Sequence, residues 1–230
     1  MQRRGVIMNI RVKDPGSAIT HFIGMMMAMF AATPLMIKAA RQPDEIHMIA
    51  LGIFIASMVL LYAASTLYHT LDLSEKRNKA LKKIDHMMIF VLIAGSYTPI
   101  CLIALPQPLG MRLFALVWSI AVLGIIVKMC WVTCPKWFSS LLYIGMGWIC
   151  VLVFTQLLNS LSAAAFAWLL AGGIIYTIGG IIYALKLPIF NERYQYFGSH
   201  EIFHLFVMGG SICHFIVMYV FVAGMPVSMY

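Results

Sequence analysis

The chain has 230 residues, of which 62% are hydrophobic and 10% charged, with 16 Lys and Arg against 8 Asp and Glu. A soluble domain carries about a quarter charged residues, so this composition excludes a water-soluble globule and a disordered chain; lipid must be the solvent for most of the surface. The net charge of +8 is spread over short segments with no aromatic-interleaved groove, which excludes nucleic acid as a partner.

A bilayer core about 30 Å thick takes about 20 apolar residues in helix. A polar, basic leader at 1–17 precedes the first such run, 18–40, which is too long for a signal-peptide core and reads as a retained helix. The second run, 46–70, ends in Ser65-Thr66-Leu67-Tyr68-His69. The 71–81 segment is the most charged of the chain and reads as a hairpin loop, after which Asp85 opens the third run, 82–105. Pro106-Gln107-Pro108 leads to the fourth run, 110–132, and a short basic segment to the fifth, 137–157. The sixth is 163–186; Asn191-Glu192-Arg193 follows, and His200-Glu201-Ile202-Phe203-His204 opens the seventh, 201–224. Strict strand alternation is absent, which argues against a β-barrel. The fold class expected is all-α: one polytopic domain over 1–230 with seven transmembrane helices.

Lys and Arg set the orientation. Arg3, Arg4, Arg11 and Lys13 in the leader, Lys76, Arg77, Lys79, Lys82 and Lys83 after the second run, and Lys128, Lys136, Lys186 and Arg193 all fall on one side. Only Lys38, Arg41 and Arg112 fall on the other. The positive-inside rule then places the N-terminus in the cytoplasm and the C-terminus outside, the reverse of a G-protein-coupled receptor. Five cysteines, an odd number beside apolar runs, read as free buried thiols. Cys130 and Cys134 are four apart, but two thiolates alone do not complete a tetrahedral metal site.

Ionisable groups inside membrane helices are costly and mark function. Ser65 and His69, at i and i+4, share one face of the second helix. His200 and His204 do the same on the seventh. With alternating helix directions, Ser65, His69, Asp85, His200 and His204 come to one depth from three helices. Three imidazoles are a ligand set of catalytic zinc, with water in the fourth position, and zinc brings the pKa of that water to about 7. The same pattern also fits a hydrogen-bonded polar cluster without metal. His21, His47, His86 and His214 read as core or interfacial histidines, and His214, about 15 Å beyond His204 along a helix, is too far to join the same ion. His200-Glu201-Ile202-Phe203-His204 matches H-E-x-x-H, in which Glu is a general base, but Val207 and Gly210 break the metzincin extension. The favoured reading of Glu201 is a first-turn carboxylate at a helix N-terminus. Gly172-Gly173, Gly179-Gly180 and Gly209-Gly210 read as sites of close helix packing.

Ser65-Thr66-Leu67-Tyr68-His69, Asp85 with Gly95-Ser96-Tyr97-Thr98-Pro99, and His200-Glu201-Ile202-Phe203-His204 through His214 together resemble the hemolysin III family. That family is the bacterial branch of a superfamily with the adiponectin and progestin receptors (PAQR) and the alkaline ceramidases. The resemblance covers essentially the whole chain. It implies a zinc ion held by His69, His200 and His204, with Asp85 contacting the metal-bound water and Ser65 just behind the ligands. It also implies a multi-pass protein of the bacterial inner (plasma) membrane with a membrane lipid as substrate. The ceramidase branch hydrolyses a lipid amide, and the family name comes from lysis of red cells. Relatives with Gln in place of Glu201 keep the zinc site, which counts against a site-2-type protease. A zinc-dependent lipid amide or ester hydrolase is therefore the leading expectation. A regulator, receptor-like protein or cytolysin with structural zinc is the second.

Overall fold

A computed structural model of the protein describes residues 12–185 and 197–228. Within them, seven helices are long and apolar enough to cross a membrane. They are α1 (Pro15–Ala40), α2 (Ile46–Thr70), α3 (Glu75–Ala104), α4 (Leu109–Cys130), α5 (Lys136–Ser160), α6 (Ala163–Leu185) and α7 (Ser199–Gly224). No strand occurs among the described residues. The all-α, seven-span architecture expected from apolar run lengths is what the chain adopts. Arg3, Arg4, Arg11, Lys186, Asn191, Glu192 and Arg193 lie outside the described residues.

One boundary differs in a way that bears on function. The 71–81 segment is not a hairpin loop. The chain turns within 71–74 and helix resumes at Glu75, so Asp85 sits ten residues inside α3 rather than opening it. The cause is local. Ser74 has extended backbone at the N-cap position, Glu75 supplies a first-turn carboxylate, and the Lys, Arg, Ala and Leu that follow are strong helix formers. The Asn78 side chain closes the turn by accepting from Leu73 N at 3.0 Å and donating to Asp72 at 3.2 Å. Apolar run length alone could not show this, because the first turns of α3 stand clear of the apolar window.

Three helices leave regular α geometry, α3 and α7 toward their C-terminal ends and α5 at its middle. α3 finishes in a π-helical turn over Ile100–Ala104, immediately after Pro99, whose ring cannot supply an N–H to the ladder. α5 tightens into a 3-10 stretch over Trp148–Val153 after Gly145 and Gly147. α7 carries a π turn over Val217–Phe221.

Consecutive helices pack side by side, α1 against α7 closes the ring, and α5 meets α3 and α4 over much smaller faces than it meets α6. α2 and α3 carry most of the core, while α1, α5 and α6 turn mostly outward. The polarity is that of a membrane protein. Phe30 and Leu152 are 74% and 73% exposed, whereas Ser17, His21, His69 and His204 are buried. Small residues set the helix spacing. A Cβ on Gly95 would meet Ser57 Oγ at 2.2 Å, one on Gly179 would meet Phe206 at 2.6 Å, and one on Gly210 would meet the Tyr176 ring at 2.8 Å. Gly173 faces open space, so of the Gly172-Gly173 pair only Gly172 packs closely.

The tightest of these contacts gives a direct check. Gly95→Ala must push α3 from α2, and overpacking of this kind costs about 1–3 kcal/mol. A lowered midpoint of thermal unfolding in detergent is expected; an unchanged midpoint would contradict the packing.

Candidate metal centre

The histidines converge where the ends of α1, α2 and α7 meet. His69 is in the last turn of α2, and His200 and His204 are in the first turns of α7. One ring nitrogen from each lies within 4.8 Å of the other two. His69 Nε2 and His200 Nε2 are 3.3 Å apart. Two nitrogens held about 2.0–2.1 Å from one tetrahedral zinc lie about 3.3 Å from each other, so this pair already has the right separation. His69 and His204 are 3% and 2% exposed, and His200 is partly buried.

The hydrogen bonds at the back of the rings set which nitrogen faces the centre. Asp14 Oδ2 lies 2.9 Å from His69 Nδ1. A carboxylate can only accept there, so Nδ1 carries the proton and Nε2 presents a lone pair. Thr20 Oγ1 lies 3.1 Å from His204 Nδ1. The threonine proton is directed at the carbonyls of Gly16 and Ser17, both at 3.0 Å. Its oxygen therefore accepts from His204 Nδ1–H, leaving Nε2 free. These are the partners that metal-bound imidazoles commonly use. Converging lone pairs in a buried site repel one another unless a proton or cation sits between them. The donor set fits a zinc ion: three imidazoles converge, two of them held in one tautomer by Asp14 and Thr20, and one nitrogen pair stands at the tetrahedral separation.

Sequence reasoning did not find Asp14 or Thr20. Asp14 precedes Pro15 at the start of α1, the ordinary place for a helix cap. Yet its side chain makes no capping bond; it turns instead to His69, while its backbone N–H donates to His69 O at 2.9 Å. Asp-Pro at a helix start was legible, but the partner lies 55 residues away.

Asp85 is not among the converging groups. It lines a cavity of about 220 Å³ together with Ser65, His200 and His204. Ser65 Oγ is buried beside the Asp85 carboxyl and makes no hydrogen bond of 3.5 Å or shorter among the described residues. From that polar end the cavity continues between α3, α5 and α6 as far as Ile100, Leu113 and Phe166. Asp85 and Ile100 are fifteen residues apart in α3, about 22 Å along the helix. Beyond the cluster the walls are mostly apolar.

The other polar residues separate cleanly. His21 stacks on His204 with ring centroids 3.6 Å apart, so it packs behind that ring. His47 is at the opposite end, bonded to Met225 O at 2.9 Å. His86 and His214 line the cavity away from the cluster, and His214 Nε2 is 3.3 Å from Leu169 O. Glu201 has both oxygens engaged: Ser17 Oγ donates to one at 2.5 Å and Gly198 N to the other at 2.8 Å. Glu201 thus satisfies the free N–H of Gly198 at the start of α7 and ties α7 to α1 through Ser17. Among the cysteines, Cys130 is exposed and Cys150 only partly buried, and none pairs in a disulfide.

The haemolysin-III-related family profile matches residues 10–215. The chain belongs to the haemolysin III family. The "Hemolysin-3" of Bacillus cereus is 38% identical over 203 residues, spanning 88% of this chain and 89% of that protein. The "Hemolysin-3 homolog" of Bacillus subtilis (strain 168) is 38% identical over 214 residues, 93% and 96% of the two chains. The "Adiponectin receptor protein" of Drosophila melanogaster is 23% identical over 219 residues, covering 88% of this chain and 49% of that one. With seven membrane-crossing helices and bacterial relatives of equal length, this family member is a multi-pass bacterial membrane protein.

Proposed function

We propose that His69, His200 and His204 hold zinc and that the protein hydrolyses an amide or ester bond of a membrane lipid. The observation that carries this reading is a three-imidazole cluster at the head of a long apolar cavity with a carboxylate on its wall. Bound there, zinc would supply a Lewis acid for a lipid carbonyl and make water nucleophilic at neutral pH. The chain's own groups divide the remaining work. Asp14 and Thr20 hold two rings in register. Asp85 accepts the proton of the attacking water, and Ser65, with its hydroxyl on the same wall, orients that carboxylate. The apolar walls beyond take the acyl chain and keep bulk water out. Val151 and Phe154 line the cavity yet are 55% and 47% exposed on the outer face of α5, which supports lateral entry of lipid at the thin seam beside that helix. The basic residues around the 71–83 turn support a cytoplasmic location for the cluster.

A structural role for the metal is the second reading, favoured by the cluster's position where the ends of three helices meet. A protease reading loses its general base, since both Glu201 oxygens are already engaged. One experiment separates the three. Protein in vesicles is incubated with N-acyl and ester lipids, with Asp85→Asn and Glu201→Gln alongside. Wild type should turn over at least one lipid class, Asp85→Asn should lose about a hundredfold or more while keeping its metal, and Glu201→Gln should remain active. Metal bound with no turnover across a wide lipid panel would sink the lipid-hydrolase reading and favour the structural role.

A further inference from the structure

Lys128 is the only fully buried Lys or Arg among the described residues, at 0% exposure in the last turn of α4. Its ammonium group has no carboxylate within ion-pairing distance among the described residues. What surrounds it is Cys134 Sγ at 3.0 Å, Ser139 Oγ at 2.5 Å and the Tyr143 ring at 5.7 Å to the centroid. Cys134 is itself 7% exposed, and its sulfur also lies 3.3 Å from Ser139 Oγ. An isolated buried cation is strongly unfavourable unless an anion compensates it. The thiol is the one acidic group in contact. Lys128 donates to that sulfur at 3.0 Å, and a neighbouring cation favours the deprotonated, nucleophilic form of a cysteine.

We propose that Cys134 and Lys128 form a peroxide-responsive modification site, separate from the histidine cluster, in which the two side chains become joined through an S–N bond. In the first step the Cys134 thiolate attacks one oxygen of hydrogen peroxide. An S–O bond forms, the O–O bond breaks, and the departing hydroxide takes a proton from the Lys128 ammonium to leave as water. Sulfur is oxidised by two electrons and the peroxide is reduced by two. The product is a sulfenic acid beside a free amine. Sulfenic acids condense with nearby nitrogen or thiol nucleophiles. In the second step Lys128 Nζ attacks sulfur; the S–N bond forms and the S–O bond breaks, and hydroxide departs with an amine proton as a second water. The starting N–S separation of 3.0 Å needs no rearrangement of the helices. A thiol reductant reverses the link by attack at sulfur.

The site is placed to be felt elsewhere. Lys83 donates to Met129 O, one residue from Lys128, and Tyr143 donates to His86 O at 3.1 Å. Both bonds join the Lys128 region to the turns of α3 that carry Asp85.

The test uses full-length protein in detergent micelles, exposed to graded hydrogen peroxide and read by mass spectrometry. Cys134 is expected to oxidise about tenfold faster than the exposed Cys130 or more, despite its burial. A peptide spanning both residues should appear with a mass lower by two hydrogens, resistant to cleavage after Lys128 and restored by dithiothreitol. Lys128→Gln should abolish the link and bring Cys134 down to the rate of the other thiols. Wild type decides the matter even if that variant folds poorly: Cys130 reacting first, with no bridged peptide, overturns the proposal. Rapid oxidation that stops at the sulfenic or sulfinic acid overturns the S–N bond.

Discussion

Replacing His204 with alanine is expected to take the purified protein from about one metal ion per chain to a small fraction of that. A zinc site needs its ligands together, and loss of one of three imidazoles leaves two at a buried site with no protein replacement. The variant also leaves Thr20 Oγ1 without its partner, a modest cost compared with the metal. Metal content by atomic emission on wild type, His204→Ala and His214→Ala checks this. His214 lies well along α7 on the cavity wall and should be neutral for metal. Full occupancy in His204→Ala, or equal losses in both variants, would refute the cluster.

How much of this was legible beforehand depends on the range of the signal. The seven spans were legible because apolar run length is a local property. The histidines were legible because i, i+4 pairs on α2 and α7, combined with alternating helix direction, bring them to one depth. Asp85 was placed on the correct helix but at the wrong position within it. The Lys- and Arg-rich turns of α3 extend beyond the apolar window, so hydropathy read them as loop while helix propensity and Glu75 favoured helix. Asp14, Thr20 and Ser17 were not found at all. Each lies at the start of α1, where Asp, Ser and Thr are expected for capping alone, and their partners on α2 and α7 are 55 and 184 residues away. No periodicity within α1 encodes those pairings; they follow from α1 packing against both α2 and α7 at once.

Those residues carry the second large effect. Asp14→Ala is expected to weaken metal affinity toward the lower end of the tenfold to about hundredfold loss typical when the partner of a ligating histidine is removed. The lower end applies because the Asp14 side chain is 44% exposed while that of His69 is 4% exposed, so water screens part of the interaction. The backbone bond from Asp14 N to His69 O does not depend on the side chain, and α1 should keep its place. Asp14→Asn retains an acceptor oxygen for His69 Nδ1–H without the charge, so it should fall between wild type and alanine. Thr20→Val removes the corresponding acceptor from His204, and Thr20→Ser restores it. Competition against a chelator of known affinity measures all four variants without requiring a substrate. A graded order, with Asp14→Ala weaker than Asp14→Asn and Thr20→Val weaker than Thr20→Ser, would show that these groups act by orienting imidazoles. Affinities equal to wild type in all four would show that the rings hold their positions without help from α1. Asp14 would then act only through its backbone bond to His69 O.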